Sequence, residues 1–379
     1  MRKLIIYAIP IFLVLSFASM AQAQEKFYDL SPIKQIKTSP TKDLQRPASC
    51  WSNAGIALLE AEWIKSGKPE IDLSEMHFIR AAYQLKADAY FNSKGAVRID
   101  EKLIAPDVLT LLDKYGMVPE EMFMKSEQKP TDARSGEMDA ILRGTLQMVM
   151  EKQEGNFTER WQNTYNAALS RYLGEPRYKF SYNNTEYDAK TFAESSGIKT
   201  SDFVILTSDS RSKPNEKIEV PAKNNWNKSL AFNVLSDQIQ NAMRGSINAG
   251  HTIVWYGNLP VEMIYAEENV ALVPMEKLEN FTNPAEGKEK SFVPFPEKEI
   301  SDAERQMAYE TMTKKDLDYL LIVGLSQDKL ENQYFTALKV CETGNKILHL
   351  TPSFVKLNTG FILMNKNGLP KDLKTEIGL

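Results

Sequence analysis

A polar, proline-containing stretch, Thr41-Lys-Asp-Leu-Gln-Arg-Pro-Ala-Ser49, runs straight into Cys50-Trp51 and then into an almost wholly apolar segment ending at Trp63. Trp51, Ala54, Leu58 and Ala61 recur at helical spacing, and Ile56, Leu59 and Trp63 form a second face. Apolar residues on both sides predict a helix buried at the centre of the fold, with packed layers around it. Gly67 and Pro69 end it. A cysteine in the first turn feels the positive end of the helix, which favours thiolate and is how a thiol nucleophile is presented. Cys50 equally suits a small buried hydrophobe at a helix start. Both readings stand on this stretch alone.

The first residues read as an export leader. Arg2 and Lys3 are basic, residues 4–17 are apolar, and Ala21-Gln22-Ala23 is a small-x-small cleavage site. The leader therefore covers residues 1–23, the mature chain begins at Gln24, and the protein is expected in the periplasm or outside the cell. No later run reaches the roughly 18 apolar residues of a membrane span, so no stable span is expected after cleavage. A formal net charge of −4 without a basic block speaks against nucleic acid as a partner. The two cysteines, Cys50 and Cys341, allow one disulfide, far from a disulfide scaffold. The three histidines, His77, His251 and His349, have no metal-ligand spacing, so neither a metal nor another cofactor is expected.

Residues 24–49 read as an extended arm punctuated by prolines. Ser74 caps a second helix, and Pro106 and Gly116 bracket a third over 107–115. Residues 137–174 read as one or two long helices. From about residue 176 the pattern turns to short mixed elements: a strand at 203–206, a polar loop at 213–228, a helix at 238–249 and a buried strand at 252–256. A further loop follows at 276–300, then a helix at 303–312. Three strands, at 319–325, 334–341 and 361–364, close the chain. The expected class is α+β: a mainly helical lobe over 24–175, then a mainly β lobe with insertions over 176–379.

Ser49-Cys50-Trp51 at the head of a central helix resembles the papain-like cysteine peptidases, and within them the bleomycin hydrolase and aminopeptidase C branch. Leu73-Ser-Glu-Met76 with Arg80-Ala-Ala-Tyr83 resembles that branch's second helix, and Lys114-Tyr-Gly-Met-Val-Pro-Glu-Glu121 the segment that follows. Residues 199–207 and 248–255 match in kind, as does the ending from Arg305-Gln306 through Ile322-Val-Gly324 to Leu369-Pro-Lys-Asp372. The resemblance covers essentially the whole mature chain. It implies a two-lobed papain-like fold, with the cysteine on a helical lobe, the histidine on a β-barrel-like lobe and a cleft between them.

Carried over position by position, the catalytic set is incomplete. Cys50 keeps the nucleophile position, with Trp51 beside it. The oxyanion glutamine falls on Leu44, or on Gln45 after a one-residue slip. The histidine falls on Asp318, a carboxylate that is a poor base for a thiol and cannot protonate a leaving amine at neutral pH. The orienting asparagine falls on Val340, and Glu342 replaces the tryptophan that shields it. Where the family grips substrate backbone with paired glycines, residues 99–105 carry side chains into the cleft, Lys102 and Leu103 among them.

Three functions follow from these residues. The favoured one is an exported, catalytically inactive pseudo-peptidase that binds a peptide or protein; the resemblance also allows a homo-oligomer. The alternative is an active cysteine peptidase in which His77, His251 or His349 supplies a relocated base within about 4 Å of Cys50. The third is a redox or structural role, with Cys50 and Cys341 bridged across the cleft, which needs Cα atoms within about 7 Å.

Overall fold

The computed structural model describes residues 28–42, 47–124, 132–152, 160–278, 294–342, 344 and 346–379. The leader at 1–23 and the two residues weighed for the oxyanion position, Leu44 and Gln45, lie outside the described residues.

The helical lobe is built on α1 (Cys50–Lys65), α2 (Glu75–Asn92), α3 (Asp107–Tyr115), α4 (Asp132–Lys152) and α5 (Arg160–Leu173). A short α6 (Ala189–Ser196) seats Phe192 against the same core. Helix α1 packs on α2 and α3 on one side and on the sheet on the other. That enclosure is why it carries apolar residues on more than one face: Trp51, Ala54, Leu58, Leu59 and Trp63 are all buried, each large side chain contributing about 1.5–3 kcal/mol by leaving water. Ser74 caps α2, its hydroxyl accepting the His77 N–H at 3.4 Å. Gly116 ends α3 at φ +73°, and a side chain there would collide with the Ala189 backbone.

The second lobe is one mixed sheet. Its strands are β1 (Ser31–Gln35), β2 (Phe203–Thr207), β3 (Lys217–Glu219), β4 (Leu230–Asn233), β5 (Ile253–Gly257), β6 (Ile264–Tyr265), β7 (Val270–Ala271), β8 (Asp318–Gln327), β9 (Gln333–Lys339), β10 (Ile347–Leu350) and β11 (Thr359–Asn365). Their order is β6-β7-β10-β9-β8-β5-β11-β2-β4-β3, and β1 pairs with β8 off this path. Helices α7 (Ser236–Asn248), α8 (Asp302–Met312), α9 (Pro352–Asn358) and α10 (Lys371–Glu376) belong to this half.

Strand alternation divides the core in two. Tyr319, Leu321 and Val323 of β8, Val254 and Tyr256 of β5, and Phe361 and Leu363 of β11 face the helical lobe. Leu320 and Ile322, Ile253 and Trp255, and Ile362 and Met364 face the opposite way, toward α7, α9 and α10.

Three local expectations need correction. The loop read at 213–228 contains β3, and the C-terminal region holds a fourth strand, β10, followed by α9. The arm is not merely extended: β1 pairs antiparallel with β8, Ser31 opposite Gln327 and Gln35 opposite Gly324. Both β1 and β3 are mostly exposed along their length, so neither shows the apolar alternation by which a strand is recognised in sequence.

Candidate functional site

The cleft forms where the head of α1 meets the ends of β8 and β9. A 3-10 turn, Pro47–Ser49, delivers the chain into α1 with Cys50 as its first residue. Cys341 lies two residues beyond the end of β9. The two cysteines are joined by a disulfide, with Cα atoms 5.6 Å apart and a sequence separation of 291. One turn further along α1, Asn53 Nδ2 donates to the Val340 carbonyl at 3.1 Å and to the Lys42 carbonyl at 3.0 Å. Val340 itself is buried. The loop after β9 is therefore held to the head of α1 by one covalent bond and one bridging amide.

The facing wall is the 99–105 loop, whose shape is set by two buried charges. Lys86 on α2 donates to Asp100 Oδ1 at 2.6 Å, to the Asp100 carbonyl at 3.0 Å and to the Lys102 carbonyl at 2.7 Å. Trp51 Nε1 reaches the Glu101 carbonyl at 2.8 Å. Three backbone donors of the wall turn inward. Lys102 N–H goes to Asp100 Oδ1 at 3.1 Å, Ile104 N–H to Asp107 Oδ2 at 3.1 Å, and Ala105 N–H to the Tyr319 hydroxyl at 3.3 Å. These three donors are spent inside the protein and cannot pair with the main chain of an extended ligand. Asp107 also accepts from Asn227 Nδ2 at 2.9 Å. Burial pushes its carboxyl up to about 6, against the lowering effect of the Ile104 and Asn227 donors.

Between the two walls lies a pocket of about 390 Å³, whose lining includes Cys50, Trp51, Lys102, Leu103, Tyr256 and Tyr319 together with the polar Asn224 and Asp316. Trp51, Lys102 and Leu103, the cleft residues expected from sequence, all line it. Asp318 is not among the lining residues. It opens β8 opposite Gly257, on the strand face shared with Leu320, and its carboxylate accepts the Leu259 N–H and faces Lys339. The carboxylate that does reach the pocket is Asp316.

Each imidazole is held elsewhere. His77 Nε2 pairs with the Gly116 carbonyl at 3.2 Å, and burial pushes the ring down to about 4, so it is neutral at pH 7. His251 Nδ1 sits 2.7 Å from Glu62 Oε1, and His349 Nδ1 sits 2.9 Å from Ser326 Oγ. Among the described residues, no group of three or more His, Cys, Asp or Glu side chains is placed to hold a metal ion. Nor, among them, is any helix long and apolar enough to cross a membrane.

Sequence reasoning missed Lys86, Asp107, Tyr319 and Asp316. Lys86 alone left a readable signal, a lysine in register with the buried Tyr83 and Tyr90 on α2. The others depend on which loop the sheet brings against the helix head.

No family model matches the chain, and no curated protein sequence matches it. Among solved structures, PepW from Lactobacillus rhamnosis is similar at a TM-score of 0.66 and 12% identity, over 92% of this chain and 84% of that one. The digestive procathepsin L 3 of Tenebrio molitor larval midgut is similar at a TM-score of 0.33 and 10% identity, over 89% and 70% of the two chains. The Amb a 11 cysteine protease of ragweed pollen, in its proform, is similar at 0.34 and 11%, over 90% and 66%. The likeness to PepW, spanning nearly all of both chains, establishes the architecture: this is a two-lobed papain-like α+β fold with α1 at its centre.

Proposed function

We propose that this chain is an exported papain-fold protein that binds a peptide or protein in its cleft without hydrolysing it. One observation carries the reading: the sulfur at the nucleophile position is bonded to Cys341, while all three imidazoles are engaged away from it. Acyl transfer by a thiol requires a free thiolate and a base that can return the proton to the leaving amine. Losing one oxyanion donor costs about 10²–10³ in rate. Losing the base as well leaves little above uncatalysed hydrolysis, although such losses are not additive. An active peptidase with a relocated base would need one of these histidines to leave its present partner and cross to Cys50.

The test is hydrolysis of aminoacyl and peptidyl fluorogenic substrates, with and without a thiol reductant, alongside labelling by an epoxide reagent for cysteine peptidases. No turnover and no labelling are expected in either state. Rapid stoichiometric labelling of Cys50 at neutral pH, or turnover on reduction, overturns the reading and makes the disulfide a mask over a working enzyme. Export belongs to the same proposal, because an oxidising compartment is where such a bond persists. The exported chain is expected to begin at Gln24 by intact mass.

A further inference from the structure

The cleft-binding reading leaves the ligand's chemistry open, and the charges at the pocket mouth narrow it. Its floor is apolar and aromatic, made by Trp51, Leu103, Tyr256, Leu317 and Tyr319, and its volume falls within the usual range for small-ligand sites, about 300–1,000 Å³. Asp316 lines the pocket with Lys102, and its Oδ2 stands 3.6 Å from Lys102 Nζ and 3.7 Å from Nζ of Lys223, which lies next to the lining residue Asn224 and outside the lining itself. Both separations are too long for direct hydrogen bonds. Asn224 Nδ2 fastens the other oxygen, Oδ1, at 2.9 Å, which restrains Asp316 from closing on either ammonium. The lysine side chains are 37% and 55% exposed. Two ammoniums thus share one tethered carboxylate, which leaves a net positive charge among the three. With the N–H groups at 102, 104 and 105 turned inward, fewer main-chain donors face the pocket, and side-chain size and charge carry more of the discrimination between ligands.

We propose, resting on the cleft-binding reading, that the pocket selects a ligand bearing a carboxylate beside a large apolar side chain. The apolar group packs on the aromatic floor, and the carboxylate takes the donors that Lys102 and Lys223 leave unused. An acidic side chain or a chain's C-terminal carboxylate would supply the same chemistry.

The experiment titrates the whole chain by calorimetry with N-acetyl-Phe-Asp-amide, N-acetyl-phenylalanine and the neutral N-acetyl-Phe-Asn-amide. At low salt, at least one acidic probe is expected to bind about three- to five-fold more tightly than the neutral one. The acidic probe that does so identifies the source of the carboxylate. The preference is expected to shrink at about 0.5 M salt, where exposed charges are screened. It is expected to disappear in the double variant Lys102→Gln/Lys223→Gln and to grow in Asp316→Asn, with circular dichroism confirming that both fold. Equal binding of acidic and neutral probes overturns this inference and leaves cleft binding intact. A preference that survives the double lysine variant also overturns it. No binding by any probe overturns the cleft-binding reading, and this inference with it.

Discussion

Asp107 shows how much one residue's setting matters. By its sequence position it is an ordinary acidic residue in the first turn of a helix, where the dipole favours a negative charge. In the fold it is buried, and its carboxyl, at about 6, titrates above an unfolded aspartate. A folded pKa above the unfolded one means that the native state binds the extra proton. Its stabilising contribution is therefore fully present below about pH 4 and is lost as pH rises through about 6. Denaturant melts of Asp107→Asn should show a flatter pH dependence of stability between pH 4 and 6 than the parent chain. An unchanged slope would mean that the carboxyl is not the titrating group. The cysteine at the head of α1 was legible in the sequence, but the orientation of the residues around it was not. Asp316 and Asp318 differ by two places in the sequence, and only the start of β8 decides that the former lines the pocket while the latter meets Leu259.

At the scale of elements, the arm at residues 31–42 joins the two lobes. Its strand pairs with β8, the Ile36 N–H reaches the Val323 carbonyl at 2.8 Å, and the chain then crosses to the helical lobe. There Lys42 Nζ donates to the Leu73 carbonyl at 2.9 Å, lies 2.9 Å from Glu75 Oε1 and also pairs with Asp72. Glu75 is buried, and burial pushes its carboxyl above the usual range against the opposing pull of this ammonium, which also faces the buried Glu60. Removing one partner of a buried pair costs about 3–5 kcal/mol because the other is left uncompensated. Lys42→Met should therefore loosen the arm, and amide exchange over residues 36–42 should quicken at least about tenfold while the β8–β5 pairing stays protected. Unaltered exchange would show that β1 alone holds the arm. Apolar periodicity identified α1, α2 and the central strands, because their burial repeats at the helix or strand period, and Pro106 and Gly116 marked the ends of α3. It missed β1, β3, β10 and α6, where short or exposed segments are held by pairing and local capping.

Across the whole molecule, the Cys50–Cys341 bond closes a loop over a sequence separation of 291 residues. Loop-closure entropy then predicts a contribution of about 5–6 kcal/mol, acting mainly by restricting the unfolded chain. Reduction, or Cys341→Ser, should lower the denaturant midpoint by a corresponding amount without bringing out hydrolysis of peptide substrates. An unchanged midpoint would indicate that the bond does not form in solution. By itself, the sequence determined the buried helix behind Cys50, the alternation that makes the central strands two-faced, and the residue types that stand at 50, 318 and 340. All of these are local: they depend on periodicity and on identity at fixed spacing. Only the tertiary structure decided that Cys341 meets Cys50, that the wall's N–H groups turn inward, and that Asp316 sits between two lysines. These follow from how the sheet register and the packing of α1 bring distant segments together, and a linear pattern carries no record of that closure.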